Sequence, residues 1–267
     1  MDIAGKVIVV VGGGDGIGRQ VVLELLRRGA RVAAVDVRQE ALDTTAELAA
    51  AGERLATFAV DITDRDAVGP LPDEVDVTLG PVDGLINVAG IIQPFVRIAD
   101  LEEEVIRRVL DVNLHGTLHT VRAFLPGLLE RPVAHIANVS SMGGFLPVPG
   151  QGIYGASKAA VRLLTEALYA ELLDTRVGVS VVFPGAVATA ITDNSGVAAP
   201  GGASSERSSS YPTTSADAAA RGIIDGIEAG KLHVFVGRDA RIMNLLNRLA
   251  PRRSTHLIQR RMKDLLS

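Results

Sequence analysis

The stretch YGASK places a tyrosine and a lysine four residues apart, at Tyr154 and Lys158. In a helix, this spacing puts both side chains on one face, with Cβ atoms about 6 Å apart. A free tyrosine has a pKa of about 10 and is a poor base at neutral pH, but a nearby ammonium group lowers the pKa of a phenol. The pair can therefore take the hydroxyl proton when an alcohol carbon loses a hydride. Taken alone, the same pattern is common on solvated helix surfaces.

A serine hydroxyl that can assist this chemistry lies 13 residues before the tyrosine, at Ser141. It follows the run HIANV and precedes Gly143 and Gly144. Such a hydroxyl can donate to an alkoxide or carbonyl oxygen while the tyrosine exchanges the proton. Ser140 is the competing candidate, because alternation along a strand lets only one of the two side chains face the pocket readily.

A glycine-rich turn follows the first apolar run, in the stretch VGGGDGIG with Gly12, Gly16 and Gly18. Such a turn between a strand and a helix lets the main chain approach a pyrophosphate and aims the free N–H groups of the helix at it. The alternative is a tight turn that binds no ligand. Asp36 supports the first interpretation, because it ends the second apolar run 18 residues after Gly18, near the spacing of a carboxylate that binds an adenosine ribose.

Two carboxylates bear on the choice of nucleotide. Asp36 repels a 2′-phosphate and so favours NAD over NADP, although Arg38 partly offsets the repulsion. Asp61 ends the third apolar run and is followed by Ile62, which places it to contact the adenine edge. The alternative role of Asp61 is the N-cap of the following helix. The sequence therefore predicts a site for NAD, with NADP less favoured, and no metal.

Seven short apolar runs alternate with longer helical stretches along the chain. They cover residues 7–11, 31–36, 55–61, 84–90, 135–141, 179–185 and 233–237. Because the runs are continuously apolar rather than alternating, both faces of each strand are expected to be buried. Right-handed crossovers then place helices on both sides of the sheet. The pattern predicts an α/β, doubly wound, Rossmann-like three-layer fold with a seven-stranded parallel sheet.

We expect one such domain over residues 1–240 and a basic, amphipathic helical extension over 241–267. The segment 193–217 interrupts the alternation with Gly, Ser, Pro and Thr. We interpret the loop at about 190–217 as a substrate lid, since it follows a strand end where ligands bind in such folds. Plain disorder is the alternative.

The chain resembles the short-chain dehydrogenase/reductase family in the order and spacing of its motifs, from about residue 4 to about residue 237. The motifs are the Gly-x-x-x-Gly-x-Gly turn, NVAG at 87–90, SS at 140–141, YGASK, and PGAVAT at 184–189. The resemblance implies a Rossmann-like oxidoreductase that uses NAD(P) and acts on a CH–OH group. It also favours Ser141 over Ser140, and it implies a homotetramer or homodimer.

The resemblance further implies roles for individual residues. Ser141, Tyr154 and Lys158 would be catalytic, and Asn113 would bind a water that links Lys158 to a proton relay. Without the resemblance, Asn113 is interpreted as a helix kink or a cap. The residues implied to bind the cofactor are Gly12, Asp15, Gly16, Ile17, Gly18, Asp36, Asp61, Ile62, Asn87, Ala89, Gly90, Tyr154, Lys158, Pro184, Gly185, Val187 and Thr189.

Two positions depart from the family's pattern. Val11 and Val88 stand where the family usually has Thr and Asn. Side-chain hydrogen bonds that brace the cofactor loop are therefore lost. We expect this to affect the rigidity of the loop more than cofactor binding, because the glycines and Asp36 remain.

Composition narrows the class of function. Aromatic residues make up 3% of the 267 residues and the formal net charge is −4, which argues against nucleic-acid binding. The chain has no cysteine, no apolar run of membrane-spanning length and no signal-peptide pattern, so a cytoplasmic protein is expected. The Gly-x-Ser-x-Gly pattern of a serine hydrolase is absent. His115 and His119 have metal-binding spacing, but no carboxylate cluster accompanies them, and a polar helix face explains them better.

The C-terminal segment differs in charge from the rest of the chain. From Arg238 to Ser267 it carries eight Lys/Arg and two Asp/Glu. The stretches RIMNLLNRLA and LIQRRMKDLL, separated by Pro251, place Leu, Ile and Met at helical spacing with arginines between them. We expect two short amphipathic helices docked on the core or on another subunit. Peripheral contact with an anionic membrane is the less favoured alternative.

These observations predict an NAD-dependent oxidoreductase that interconverts a hydrophobic secondary alcohol and a ketone, in the oxidative direction, with Tyr154 as the acid/base. The alternatives are an NADPH-dependent ketoreductase or 3-oxoacyl reductase, and a non-catalytic NAD-binding regulatory protein on the same fold. The substrate is expected to have a large apolar body, because the expected pocket wall is apolar. This wall consists of Ile91, Ile92, Pro94, Phe95, Met142, Phe145, Leu146, Ile191 and Val197.

Overall fold

The apolar runs pair into one parallel sheet. The computed structural model describes residues 1–188, 191–197 and 213–262. The strands are β1 Val7–Val11, β2 Arg31–Asp36, β3 Leu55–Ala59, β4 Gly84–Asn87, β5 Ala134–Val139, β6 Val177–Pro184, β7 Val187–Ala188, β8 Thr214–Ser215 and β9 His233–Val236. Seven of them form a sheet in the order β3-β2-β1-β4-β5-β6-β9, and β7 pairs separately with β8. The predicted seven-stranded, doubly wound fold is confirmed.

Helices connect the strands and follow the last of them. They are α1 Gly16–Arg27, α2 Gln39–Ala49, α3 Arg65–Val68, α4 Leu71–Leu79, α5 Glu103–Leu110, α6 Thr117–Leu129, α7 Gly152–Glu171, α8 Ile191–Asn194, α9 Ala216–Glu228, α10 Arg238–Leu249 and α11 Pro251–Met262. A π-helical turn, Asp111–Gly116, joins α5 to α6, and 3-10 turns occur at Gly52–Arg54, Ile98–Asp100 and Met142–Gly144. Within the described residues, none of these helices combines the length and apolarity needed to cross a membrane.

Two hydrophobic cores lie on opposite faces of the sheet. One joins the sheet to α1, α2 and α9, and the other joins it to α4, α6 and α7. All five residues of β1 are buried, because each face of this central strand is covered by one of the cores. This explains why the strand sequences are continuously apolar.

The predicted strand ends are corrected at the carboxyl edge of the sheet. β3 ends at Ala59, so Asp61 lies two residues beyond the strand rather than at its end. β4 and β5 likewise end before Val88 and Ser140. The apolar runs continue past the last ladder hydrogen bonds because the following residues line the edge where parallel strands leave room for a ligand.

The alternative role predicted for Asp61 as a helix N-cap is wrong. The α3 N-cap is Asp64, whose Oδ1 accepts hydrogen bonds from Asp66 N at 2.9 Å and Ala67 N at 3.2 Å. Asp61 Oδ1 instead accepts from the N–H and the hydroxyl of Thr63, at 2.9 and 2.8 Å. This local turn leaves Asp61 at the mouth of the site described next.

Candidate active site

The glycine-rich turn between β1 and α1 is held by main-chain contacts. Gly12 has φ 82°, and a Cβ there would come within 2.7 Å of Ala89 N, so a side chain would both strain the turn and collide with the residues after β4. Gly12 N and Gly13 N donate to Val35 O at 2.7 and 2.9 Å. The turn is therefore braced although Val11 and Val88 lack the polar side chains usual in the family.

Asp15 caps helix α1 at the point where a pyrophosphate would approach. Its Oδ1 accepts from Gly16 N at 2.7 Å, and its Oδ2 accepts from the Asn194 side chain at 3.0 Å. Burial raises the pKa of Asp15, but hydrogen bonds from Asn194 and Gly16 and the charge of Arg19 outweigh it, so the pKa is lowered overall. The contact with Asn194 joins α8 to the cofactor turn.

Asp36 ends β2 with its carboxylate turned toward the same turn. Oδ2 accepts from Gly14 N and Oδ1 accepts from Arg38 N, each at 3.1 Å. Each carboxylate oxygen keeps a further lone pair for a ribose hydroxyl. The Arg38 guanidinium lies 3.9 Å from Asp36 Oδ1 and 3.5 Å from Asp15 Oδ2, so the two carboxylates neutralise it.

A cavity of about 500 Å³ runs along this edge of the sheet. Ten of the residues predicted to bind the cofactor line it: Gly12, Asp15, Gly16, Ile17, Gly18, Asp36, Asp61, Ile62, Ala89 and Gly90. It extends from the Asp36 carboxylate, past the N-terminus of α1, to the residues after β4. The volume lies in the range of small-molecule sites. The first residues of α1, Gly16 to Gly18, line it, and the free N–H groups of a helix N-terminus suit a pyrophosphate. The residues present therefore fit a dinucleotide.

Six other described residues predicted to bind the cofactor do not line this cavity: Asn87, Tyr154, Lys158, Pro184, Gly185 and Val187. Asn87 is one whose side chain is used within the core. It is buried, and its amide donates to Asn138 Oδ1 at 2.8 Å and accepts from the Thr120 hydroxyl at 2.8 Å. Asn138 in turn donates to the Thr165 hydroxyl at 3.0 Å. The Asn87 side chain thus ties β4 and β5 to the helices packed on them and is not among the cavity-lining residues.

The Pro-Gly segment after β6 is anchored from the C-terminal part of the chain. Gly185 N donates to Val236 O at 2.9 Å, and Ala186 N donates to the Asp239 carboxylate of α10 at 2.7 Å. Pro184 is the last residue of β6, and Val187 is half-buried at the start of β7. Thr189 lies outside the described residues.

The two candidate serines have different partners. Ser140 is buried and its hydroxyl donates to Lys158 O at 2.7 Å. Ser141 Oγ accepts from Gly143 N at 3.0 Å. It lies beside the Tyr154 side chain, since a Cβ at Gly143 would come within 3.4 Å of Ser141 Oγ and 3.2 Å of the Tyr154 ring. Because Ser141 accepts from the main chain, its own proton remains available for an oxygen beside Tyr154. The geometry thus separates a structural serine from one adjoining the tyrosine.

Tyr154 and Lys158 lie on α7, four residues apart as the sequence pattern indicates. Lys158 Nζ donates to Val139 O at 3.0 Å, and a Cβ at Gly90 would lie 2.8 Å from Nζ. The ammonium group therefore lies next to the inner end of the cavity. Asn113, in the π-helical turn, is fully buried nearby, with its Oδ1 accepting from Ile91 N at 2.8 Å.

The pKa shifts of this pair differ from the expectation that Lys158 lowers the pKa of Tyr154. Burial raises the pKa of Tyr154, and the hydrogen bond with Ser141 opposes that rise without reversing it. Burial also lowers the pKa of Lys158 to about 8. Desolvation disfavours the charged form of each group. A phenolate at Tyr154 therefore needs further positive charge beside the pocket.

A second cavity, of about 560 Å³, adjoins the first turn of α7 and the segment after Ser141. Phe145 and Leu146 of the predicted substrate wall line it, together with Thr255 and Gln259 of α11. Ile91 and Ile191 instead line the dinucleotide cavity, and the other five predicted wall residues line neither: Ile92, Pro94, Phe95, Met142 and Val197. The Asn247 side chain of α10 donates to Phe145 O at 2.8 Å. The C-terminal helices thus form part of this wall.

Sequence reasoning missed three polar residues that hold the site together. Gln93 is fully buried, and its Oε1 accepts from Ile153 N and Tyr154 N. Asp239 and Asn247 hold the main chain at Ala186 and at Phe145. Gln93 alone had a visible signal, since it is the single polar residue between the apolar Ile92 and Pro94.

The strand order, the glycine-rich turn and the cavity at the carboxyl edge define a Rossmann-type dinucleotide-binding protein. Comparison with known proteins makes the class more specific. The model of the short chain dehydrogenase family matches residues 6–198, and the chain belongs to that family. It is an oxidoreductase that uses NAD(P).

Relatives resemble the chain over most of its length. SadH of Mycobacterium tuberculosis, which is named as an oxidoreductase, is 36% identical over 253 residues, covering 92% of this chain and 91% of SadH. A short chain dehydrogenase from Burkholderia cenocepacia in complex with NADP is 27% identical, with a TM-score of 0.81 over 97% of this chain and 99% of that one. A Burkholderia phymatum family member in complex with NAD is 27% identical, with a TM-score of 0.82 over 93% and 96%.

Proposed function

We propose that this chain is an NAD-dependent oxidoreductase that interconverts a hydrophobic secondary alcohol and a ketone, with Tyr154 as the acid/base. The observation that carries the proposal is the meeting of Ser141 Oγ and the Tyr154 ring at Gly143, where a Cβ would lie within 3.4 Å of each. On the same helix as Tyr154, Lys158 Nζ lies next to Gly90, which lines the dinucleotide cavity. When bound, the oxidised nicotinamide supplies a hydride acceptor and a positive charge.

Four side chains have separate roles in the proposed reaction. Ser141 donates a hydrogen bond to the substrate oxygen, and Tyr154 takes the hydroxyl proton as the carbon gives up hydride. Lys158 favours the phenolate through its charge and holds a ribose hydroxyl. Asn113 keeps the residues after β4 in place through paired hydrogen bonds with Ile91 N at 2.8 Å and Ile91 O at 2.9 Å.

The preference for NAD rests on Asp36. Its carboxylate would lie against a 2′-phosphate, and Arg38, the nearby cation, already faces two carboxylates. The apolar substrate body is supported by the second cavity, whose wall includes Ile98, Leu146 and Val148. With NAD as the cofactor, we propose that the enzyme works in the oxidative direction, from the alcohol to the ketone.

Self-association is proposed for the side of the molecule that carries α6 and α7. Several large apolar side chains are exposed on these helices or close to their ends: Leu129, Val133, Leu163, Tyr169 and Leu173. Burial of such surface between copies is the usual way to remove it from water. A homodimer or homotetramer is expected by light scattering.

The test is a panel of secondary alcohols of increasing apolar size, read as NADH absorbance with NAD and with NADP. Tyr154→Phe is expected to lose at least about 100-fold in turnover while keeping NADH affinity. Tyr169→Phe, on the same helix, is the matched control and should behave as wild type. Unchanged turnover in Tyr154→Phe would refute the acid/base role, and higher efficiency with NADP would refute the cofactor preference.

A further inference from the structure

Helix α10 has two faces with different properties. Its inner face includes Ala240, which is fully buried, and the two side chains that hold Ala186 N and Phe145 O. Its outer face exposes Ile242, Leu245 and Leu249 to 60%, 59% and 76%. These three residues follow helical spacing and form one apolar stripe on the outside of the helix.

Six exposed arginines lie on the same two helices as this stripe. Arg241 and Arg248 run along one side of it on α10, Arg238 precedes it, and α11 carries three more at Arg252, Arg253 and Arg260. All six are exposed, and in the described part of the chain none pairs with a carboxylate. Asp239, the one acidic residue between 238 and 262, binds Ala186 N.

The charge pattern decides between occupants of this surface. A two-fold axis through this patch would bring two copies of it together and set arginine against arginine. A nucleic acid would satisfy the arginines but would leave the aliphatic stripe in water. An anionic bilayer surface meets both needs, because its headgroups attract arginine and its interfacial region accepts aliphatic side chains from a helix lying in its plane.

We propose that the outer face of α10, with the arginines of α11, is a docking surface for an anionic lipid membrane. Ile242, Leu245 and Leu249 enter the interface, and the six guanidinium groups contact lipid phosphates or carboxylates. The inner face of the same helix contacts the walls of the substrate pocket, so docking brings the pocket close to the lipid. That last link rests on the proposed function, whereas the docking itself does not.

The experiment is sedimentation of the full chain with vesicles of phosphatidylglycerol and phosphatidylcholine, compared with phosphatidylcholine alone. Wild type is expected to bind the anionic vesicles and to be released by high salt. Arg241→Gln/Arg248→Gln should lower the partition coefficient roughly 25-fold, from about fivefold per arginine. Leu245→Gln/Leu249→Gln should lower it at least about tenfold.

Each variant has a matched control elsewhere on the surface. Leu48→Gln/Val77→Gln changes two aliphatic residues that are 60% and 88% exposed, and Arg65→Gln/Arg176→Gln removes two exposed arginines. Both controls should bind as wild type does. Absence of vesicle binding by wild type, or equal losses in controls and test variants, overturns the proposal. A change in oligomer mass in Leu245→Gln/Leu249→Gln, with no vesicle binding by wild type, would assign the face to contact between copies instead.

Discussion

Gln93 caps the helix that carries Tyr154. Its Oε1 accepts hydrogen bonds from Ile153 N at 2.8 Å and Tyr154 N at 3.0 Å, while its Nε2 donates to Gly150 O at 2.9 Å. The residue at the N-cap position, Gln151, makes no side-chain cap of its own. Gln93, in the loop after β4, therefore accepts hydrogen bonds from free N–H groups at the start of α7. These bonds fix the position of the Tyr154 phenol.

Gln93→Leu is expected to lower the free energy of unfolding by about 3 kcal/mol, because buried donors lose their acceptor. Turnover should fall as well, since Tyr154 is no longer held in register. Urea unfolding and an alcohol dehydrogenation assay measure the two effects. Gln39→Leu on the surface of α2 is the control and should change neither. An unfolding free energy equal to wild type would show that water replaces the cap.

Lys158→Met is expected to stabilise the unliganded protein at neutral pH. The folded-state pKa of Lys158 is about 8, below its ordinary value of 10.5, so the unfolded chain binds more protons between these values. Stability from this group is present above pH 10.5 and is lost as pH falls to 8. The loss is on the order of 3 kcal/mol, less the hydrogen bond to Val139 O.

The measurement is the difference in unfolding free energy between Lys158→Met and wild type at pH 7 and at pH 10. The difference should shrink toward zero, or change sign, at the higher pH. Lys231→Met, at an exposed position, should show no such trend. A difference that does not vary with pH would mean that Lys158 is solvated in the folded state.

Much of this site could be predicted from the sequence because it depends on local patterns. The turn at Gly12–Gly18 and the four-residue interval between Tyr154 and Lys158 need only a strand or a helix to bring their members together. Gln93 and Asn247 act on main-chain groups 61 and 102 residues away. Contacts between residues so far apart along the chain produce no periodic pattern in the sequence. The pKa shifts were missed for a related reason, since burial depends on what packs around a side chain.

Asp36→Asn is expected to relax the preference for NAD. Removing the charge next to the ribose should lower the ratio of the NADPH to the NADH dissociation constant about tenfold, the effect of roughly 1.4 kcal/mol of repulsion. Fluorescence titration with each reduced nucleotide gives the ratio. Arg38→Gln tests the partner, and it should change NADPH affinity less than about threefold. A large loss of NADPH binding in Arg38→Gln would assign this arginine to the 2′-phosphate.

Asn247→Leu is expected to raise the KM for an apolar alcohol about 3- to 10-fold, with NADH affinity unchanged, because the main chain at Phe145 loses its donor. Asp239→Ala should instead weaken NADH binding, since it frees the main chain at Ala186. Steady-state kinetics and NADH titration separate the two. Asn244→Leu, the same change three residues earlier on α10, is the control. If Asn247→Leu weakened NADH binding as well as raising the KM for the alcohol, the substitution would have loosened the whole site rather than one wall of it.

The anchoring of the pocket walls by α10 has a consequence for how the protein is made. Asp239 and Asn247 follow the last strand, so the ribosome adds them after all the residues of the sheet. A nascent chain can assemble β1 to β6 and begin to bind nucleotide while Ala186 and Phe145 still lack their partners. Stalled or prematurely terminated translation near residue 237 would then yield a molecule that holds the nucleotide weakly and presents an unfinished cleft to the alcohol.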